Sequence, residues 1–319
     1  MSASYITYLV FSVIVIFALV FDLGLLSKKD AVISMRKAMV QTLFWVLLAL
    51  LFFVFLWFED GQKISLEYLS AYLMEWSLSI DNIFVFIIIF SSFGVKEKFY
   101  GRVLLIGILM AIIFRVIFIT IGVALVEQFH WVLYLFGLFL LYTGYKMFIT
   151  SENEEFDPHD SKIYKGMKRF LPLTAHDGNG KYIIKEKGRP VYTTLFVVVV
   201  LLAVIDLIFA LDSIPAVMGI TRTKLVIYTS NIFAVLGLRS LFFLLRGAVS
   251  KFDYLQQGIA VVLIFIGVKM LLEKYIDQWI NKDFQILLSL VVIVICISAS
   301  ILYSIYHQKK GIPKDIIKN

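Results

Sequence analysis

The sequence predicts an all-α, polytopic membrane protein of about nine transmembrane helices, six of them arranged as two inverted three-helix repeats. Three observations carry that prediction. Of 319 residues, 61% are hydrophobic, well above the roughly half of a soluble domain, and the mean hydropathy is +0.90. The apolar residues cluster in runs of about 20, the length that crosses a bilayer as a helix. Inside two of those runs stand two carboxylates six residues apart, Glu75 and Asp81 in one, Asp206 and Asp212 in the other.

The runs fall at residues 5–26, 38–58, 66–93, 101–126, 131–149, 191–218, 224–246, 254–273 and 283–306. Met1-Ser2-Ala3-Ser4-Tyr5 lacks the basic stretch of a cleavable signal peptide, so the first run reads as a retained helix. The chain divides into two N-terminal helices (1–65), a first three-helix repeat (66–149), a connector (150–190), a second repeat (191–273), and a last helix with its tail (274–319).

Basic residues set the expected orientation. With the N-terminus outside, inward loops hold 21 of the 30 Lys and Arg, while outward segments hold Lys63, Arg222, Lys224, Lys274 and Lys282. Trp57, Trp131 and Trp279 then fall at the outer interface, where aromatic belts form. A multi-pass protein of the inner (plasma) membrane, with its C-terminus in the cytoplasm, is the expectation. The net charge of +7 is spread over short loops as a topology signal, which excludes a nucleic-acid partner. Cys296 is the one cysteine and lies in an apolar run, so neither a disulfide framework nor a thiolate metal site is expected.

The connector mixes acids and bases and contains Pro158, Pro172 and Asp177-Gly178-Asn179-Gly180, around which a small hairpin is expected. His159 and His176 carry no metal-ligand spacing.

The repeat is legible in register. Laying Glu75…Asp81-Asn82 on Asp206…Asp212-Ser213 also brings Arg115 against Arg239, and Gly144-Tyr145-Lys146-Met147 against Gly267-Val268-Lys269-Met270. Three helices per unit invert the second copy relative to the first, the plan of many secondary transporters, whose substrate site lies where the halves meet. Lys146 and Lys269, near span ends, are expected to snorkel.

A carboxylate at bilayer depth costs roughly 2.5–3.5 kcal/mol on insertion scales, so it is seldom carried without a use. Glu75, Asp81, Asp206 and Asp212 offer hard oxygens, and Ser79, Asn82 and Ser213 neutral ones, with no His or suitable Cys nearby. Such a set suits Mg²⁺, Ca²⁺ or Mn²⁺. Residues six apart on a helix diverge by about 120°, so convergence needs a partner helix or a break. Pro215, three residues beyond Asp212, offers a break by freeing the carbonyl of Leu211. The competing reading is that the acids pair with Arg115 and Arg239 and hold the bundle together, although two arginines do not neutralise four carboxylates.

The stretches E-W-S-L-S-I-D-N-I-F-V (75–85) and D-L-I-F-A-L-D-S-I-P-A-V (206–217) resemble the two signature motifs of the TerC family, named for a tellurium-resistance phenotype. The resemblance runs from the first span to about residue 275 and implies kinship with the LysE-type exporter superfamily. Alx-type members of the family are regarded as manganese exporters. By that resemblance Glu75, Asp81, Asn82, Asp206, Asp212 and Ser213 are the metal-site positions. The expected function is export of a divalent cation, Mn²⁺ first, with proton exchange as one coupling the carboxylates allow. The cation is cargo, and no prosthetic group is expected. The alternative is a non-transporting scaffold for assembling other membrane proteins, with the connector as its partner surface. No nucleophile–His arrangement lies in the spans, so enzyme activity is not expected.

Overall fold

The computed structural model describes residues 5–24, 33–149, 159, 161–186, 188–246 and 254–309, without the side chains of 19, 21–24, 81, 84, 255, 282 and 307–309. With residues 25 and 26 of the first run outside the described residues, each apolar run of the sequence lies mostly on a helix. These are α1 (Tyr5–Gly24), α2 (Met35–Glu59), α3 (Gln62–Ser92), α4 (Glu97–Gln128), α5 (Val132–Ile149), α7 (Thr194–Ile220), α8 (Lys224–Leu245), α9 (Leu255–Leu271) and α11 (Lys282–Lys309). Two short helices, α6 (Lys162–Phe170) and α10 (Glu273–Trp279), complete the set. Among the described residues seven helices are long and apolar enough to cross a membrane, and Tyr5–Ala18 and Gln256–Leu271 form shorter apolar helices. The chain is a polytopic all-α membrane protein.

Burial sorts the helices into layers. The apolar window of α8 is 94% buried, against 28% for α2 and 22% for α11. With no water to reward sequestering apolar groups, a lipid-facing helix keeps its Leu and Phe exposed, as α2 does with Leu43, Leu47, Leu51 and Phe58. α8 is enclosed by α2, α3 and α4, and α3 and α4 also pack on α7. Aromatic packing joins three of these helices: the Phe52 ring lies 5.3 Å from Tyr68 and 5.1 Å from Phe233.

The tightest crossing is between α5 and α9. A Cβ on Gly267 would stand 2.8 Å from the Gly137 carbonyl, and one on Gly144 would stand 2.8 Å from the Ala260 carbonyl. Glycine at these points lets two backbones approach as larger residues would forbid. At the turn from α2 to α3, Gly61 takes φ +91, where its amide and that of Asp60 both close on Leu56 O. Thr7 donates to Asp60 at 2.6 Å and so fastens α1 to the same turn.

Two local expectations are corrected. Pro215 does not interrupt its helix: α7 runs as one element from Thr194 to Ile220. Pro215 is buried on packed neighbours, which hold the segment helical despite the missing N–H. The hairpin of the connector is not centred on Asp177–Gly180. Those residues form a tight 3-10 turn with Asn179 at φ 52, and Asp177 accepts from Asn179 N at 3.1 Å. The hairpin follows, β1 (Ile183–Glu186) against β2 (Arg189–Tyr192), with Ile183 opposite Tyr192 and Glu186 opposite Arg189. Its turn holds Gly188 at φ 79. Three consecutive positions at positive φ coil the 178–180 segment on itself, which leaves no extended residues there to pair.

The connector docks on the start of α4. Lys96 Nζ meets Asp177 at 2.6 Å, and Arg102 donates to the Gly180 carbonyl. The Lys96 ammonium, then the Asn179 amide, hold the Asp177 carboxyl below its usual range. The His159 ring lies 4.2 Å from Phe93, and the His176 carbonyl accepts from Thr194 N.

Candidate ion site closed on an arginine

Four helices meet in the middle of the bundle, and each contributes one polar side chain to the same point. Glu75 comes from α3, Arg115 from α4, Asp206 from α7 and Asn231 from α8. All four are buried, Glu75 and Asn231 at 0% exposure, Arg115 at 1% and Asp206 at 2%. The guanidinium forks onto Asp206, Nε to Oδ2 at 2.9 Å and Nη2 to Oδ1 at 3.2 Å. Its Nη1 donates to Glu75 Oε2 at 2.7 Å and to Asn231 Oδ1 at 3.0 Å. Asn231 is aimed by its own amide, which donates to Ile227 O at 3.0 Å.

The local causes are simple. On unbroken α3 and α7, Glu75 and Asp206 lie on the faces turned toward each other and toward α4. An arginine in a low-dielectric interior is stable only with its charge matched and its donors used. Here the two carboxylates and the Asn231 carbonyl supply both. With both carboxylates ionised, one positive charge between two negative ones leaves the cluster a formal negative charge in excess. Beside it, Glu75 Oε1, Ser79 Oγ and Ser213 Oγ are buried with no hydrogen-bond partner among the described residues. Ser79 stands one turn beyond Glu75 on α3, and Ser213 on α7 lies next to Glu75. None of these three oxygens is bonded to the guanidinium.

Of the six expected metal-site residues, the five whose side chains are described do not all reach the same point. Glu75 and Asp206 converge, Ser213 adjoins them, and Asn82 is buried two turns along α3. Asp212 turns away: it accepts from Thr143 of α5 at 3.1 Å. The 120° that separates residues six apart is fully expressed because α7 does not break. The side chain of Asp81 lies outside the described residues. Among the described residues no group of three or more His, Cys, Asp or Glu is placed to hold a metal. The arginine pairing weighed against an ion site is what the geometry contains for Arg115. Arg239, its counterpart in the sequence repeat, is also buried, with Nη2 beside Gly101.

Sequence reading passed over three contributors. Asn231 sits in Tyr228-Thr229-Ser230-Asn231, a polar patch inside an apolar run that could have flagged it. Thr143 carried no such signal. Glu67, near the start of α3, is buried and accepts from Thr221 and, at 3.1 Å, from Thr223. Glu67 borders a cavity of about 950 Å³ at the end of the bundle where Asp60, Lys63, Arg222, Lys269 and Glu273 gather. Lys269 lines the same cavity and donates to Ser289 of α11 at 2.9 Å, and Lys146 is exposed. Along α3, Glu75 lies eight residues, about 12 Å, deeper than Glu67.

Long apolar helices around a buried acid–arginine cluster define a polytopic integral membrane protein with a charged core. Residues 60–311 match the Integral membrane protein TerC family, and the chain belongs to that family. It is 41% identical over 268 residues to the uncharacterized membrane protein STKORF319 of Myxococcus xanthus, covering 84% of each chain. It is 36% identical over 310 residues to "Putative membrane-bound redox modulator Alx" of Escherichia coli K12, covering 94% of this chain and 96% of that one. The protein of the same name from Photorhabdus laumondii is 39% identical over 274 residues, covering 83% of this chain and 85% of that one. No solved structure matches.

Proposed function

We propose that this protein is a membrane transporter that exports divalent cations, Mn²⁺ foremost, through the point where Glu75 and Asp206 meet. The observation that carries the reading is the charge of that point. Two carboxylates from different helices face one guanidinium deep in an apolar bundle, and the negative charge in excess is what a cation would neutralise. The ligands present are oxygens, which favours a hard cation over a thiolate-seeking one. The cation is cargo, and proton exchange at the carboxylates is the coupling we favour. The task needs no prosthetic group and no enzymatic step.

An inverted-repeat architecture is supported by the α5–α9 crossing. Laid in the repeat register, Gly137 corresponds to Ala260 and Gly144 to Gly267. The contacts Gly137–Gly267 and Ala260–Gly144 then exchange with one another, as a two-fold relation between the halves requires. With the N-terminus outside the plasma membrane, the cavity bordered by Glu67 opens outward and the connector faces the cytoplasm.

The Alx relatives' name points to redox modulation. This sequence holds a single cysteine, Cys296, so no intrachain dithiol can form, and cation movement is the direct activity we assign.

The test is total cellular manganese, by elemental analysis, in manganese-sensitive cells expressing wild type, Glu75→Gln or Asp206→Asn. Lower manganese with wild type alone supports export through this site. Equal manganese in all three, with calcium and magnesium unchanged, overturns it. Deleting residues 161–190 separates the scaffold reading, which requires function to fail on loss of the connector while Asp206→Asn remains active.

A further inference from the structure

Arg115 has no evident structural need for so much charge around it. A neutral apolar residue would pack between four helices at no desolvation cost, and buried ion pairs are often no more stabilising than such packing. Three features of the cluster point instead to an occupant that leaves. The first is its unequal charge, two carboxylates against one guanidinium. The second is a set of buried oxygens with no hydrogen-bond partner among the described residues: Glu75 Oε1, which Arg115 does not use, Ser213 Oγ against the Glu75 carboxyl, and Ser79 Oγ one turn on along α3. The third is Asn231, whose Oδ1 is fixed toward Nη1 and remains a neutral partner for the guanidinium if the carboxylates are taken from it.

We propose that Arg115 is a tethered counter-cation. It holds Glu75 and Asp206 in the ion-free state, and an entering cation displaces it. The inference rests on the transport reading above and deepens it, because it names what sets the valence of the cargo. A monovalent ion that replaced the guanidinium would bring the same single charge and would have to outmatch its three hydrogen bonds to the carboxylates. A divalent ion brings twice the charge and neutralises both carboxylates. Arg115 thus filters by valence rather than by size.

The unpartnered oxygens give the exchange a path without a bare intermediate. A cation first docks on Glu75 Oε1 with the hydroxyls of Ser79 and Ser213, while Oε2 still holds Nη1. Sharing Glu75 weakens that contact, and the fork on Asp206 opens as the second carboxylate turns to the metal. No covalent bond changes. On release of the metal the guanidinium returns, which keeps the emptied site from refilling with sodium or potassium.

The experiment is equilibrium binding of Mn²⁺ to purified full-length protein in nanodiscs, read from the loss of the free-ion EPR signal. Wild type, Arg115→Gln and Arg115→Lys are compared with and without excess Na⁺, and thermal unfolding reports whether each variant is folded. The expected result is that Arg115→Gln binds Mn²⁺ about tenfold or more tighter, a factor worth about 1.4 kcal/mol, and becomes sensitive to competition by Na⁺. If Arg115→Gln does not fold, Arg115→Lys decides. It keeps the charge but loses the planar fork, so it too should bind tighter than wild type, by a smaller factor. Folded variants that bind no tighter than a wild type that does bind Mn²⁺ overturn the counter-cation role and leave the transport reading standing. If neither wild type nor folded variants bind Mn²⁺, both are overturned.

Discussion

The stability of the central cluster should follow its charge balance more closely than the number of its hydrogen bonds. Arg115→Met removes four hydrogen bonds and leaves Glu75 and Asp206 facing each other with no cation between them. Removing one partner of a buried pair costs about 3–5 kcal/mol. Asp206→Asn also breaks the fork, but it leaves Arg115 matched one to one with Glu75, still bonded at 2.7 Å. Its cost should be nearer that of a hydrogen bond to a charged group, about 1.5–3 kcal/mol. The double variant retains a single carboxylate, so Asp206→Asn should partly rescue Arg115→Met instead of adding to it. Groups in one network couple by about 0.5–3 kcal/mol, and the rescue should fall in that range. The assay is thermal unfolding of the four purified proteins in one detergent, with a chelator present to keep the site metal-free. A double variant less stable than Arg115→Met, by the full cost of Asp206→Asn, would refute the dependence on charge balance.

Three further outcomes are expected. Gly267→Val places side-chain carbon against the Gly137 carbonyl and Leu141, so α5 and α9 must part, at a cost of about 1–3 kcal/mol of overpacking measurable by thermal unfolding. Thr221→Val removes one of the two hydroxyl donors to buried Glu67 and should destabilise by about 1–3 kcal/mol, whereas Thr223→Val, whose hydroxyl lies at 3.1 Å, should cost less. Docking of the connector should weaken as pH falls. The Asp177 carboxyl is held below its ordinary value by Lys96, so its contribution is present above that value and is lost as pH drops through the lowered one. Amide exchange across residues 177–193, corrected for intrinsic rates, should rise in acid in wild type and be high at all pH values in Lys96→Met.

The spans were legible because a helix that crosses a bilayer must be apolar along its whole length, and this property survives any rearrangement of its neighbours. Glu75 and Asp206 were legible for the complementary reason: a carboxylate in such a run is conspicuous against its surroundings. What the sequence withheld was direction. Whether Asp212 joins Asp206 or turns from it depends on the path of α7 near Pro215, and a proline inside a run is compatible with either a break or a helix held by packing. Packing held it, and Asp212 went to Thr143. Asn231 was hidden differently. It stands among Thr229 and Ser230, whose hydroxyls can satisfy themselves on the preceding turn, as both do, so the residue that reaches across to Arg115 is not marked off from those that do not.

The two carboxylate oxygens of Glu75 have different surroundings. Oε2 belongs to Arg115, and Oε1 belongs to no one among the described residues. A carboxylate serving purely to hold a bundle would gain by engaging both oxygens, because each buried acceptor left unmade costs free energy. The Ser213 hydroxyl of the facing α7 stands against this carboxyl, Ser79 lies one turn on along α3, and neither hydroxyl has another partner among the described residues. On the counter-cation proposal, Glu75 is the residue that holds the arginine through one oxygen and receives the cation through the other. It follows that Glu75→Gln should impair exchange more than Asp206→Asn for equal loss of stability. The Asn variant still presents an oxygen to the guanidinium and keeps the docking side intact. The Gln variant loses the charge at the point where, on that proposal, the incoming and outgoing cations overlap. Mn²⁺ binding and cellular manganese in the two variants, compared at matched thermal stability, would reverse that ranking if Asp206 were the first ligand instead.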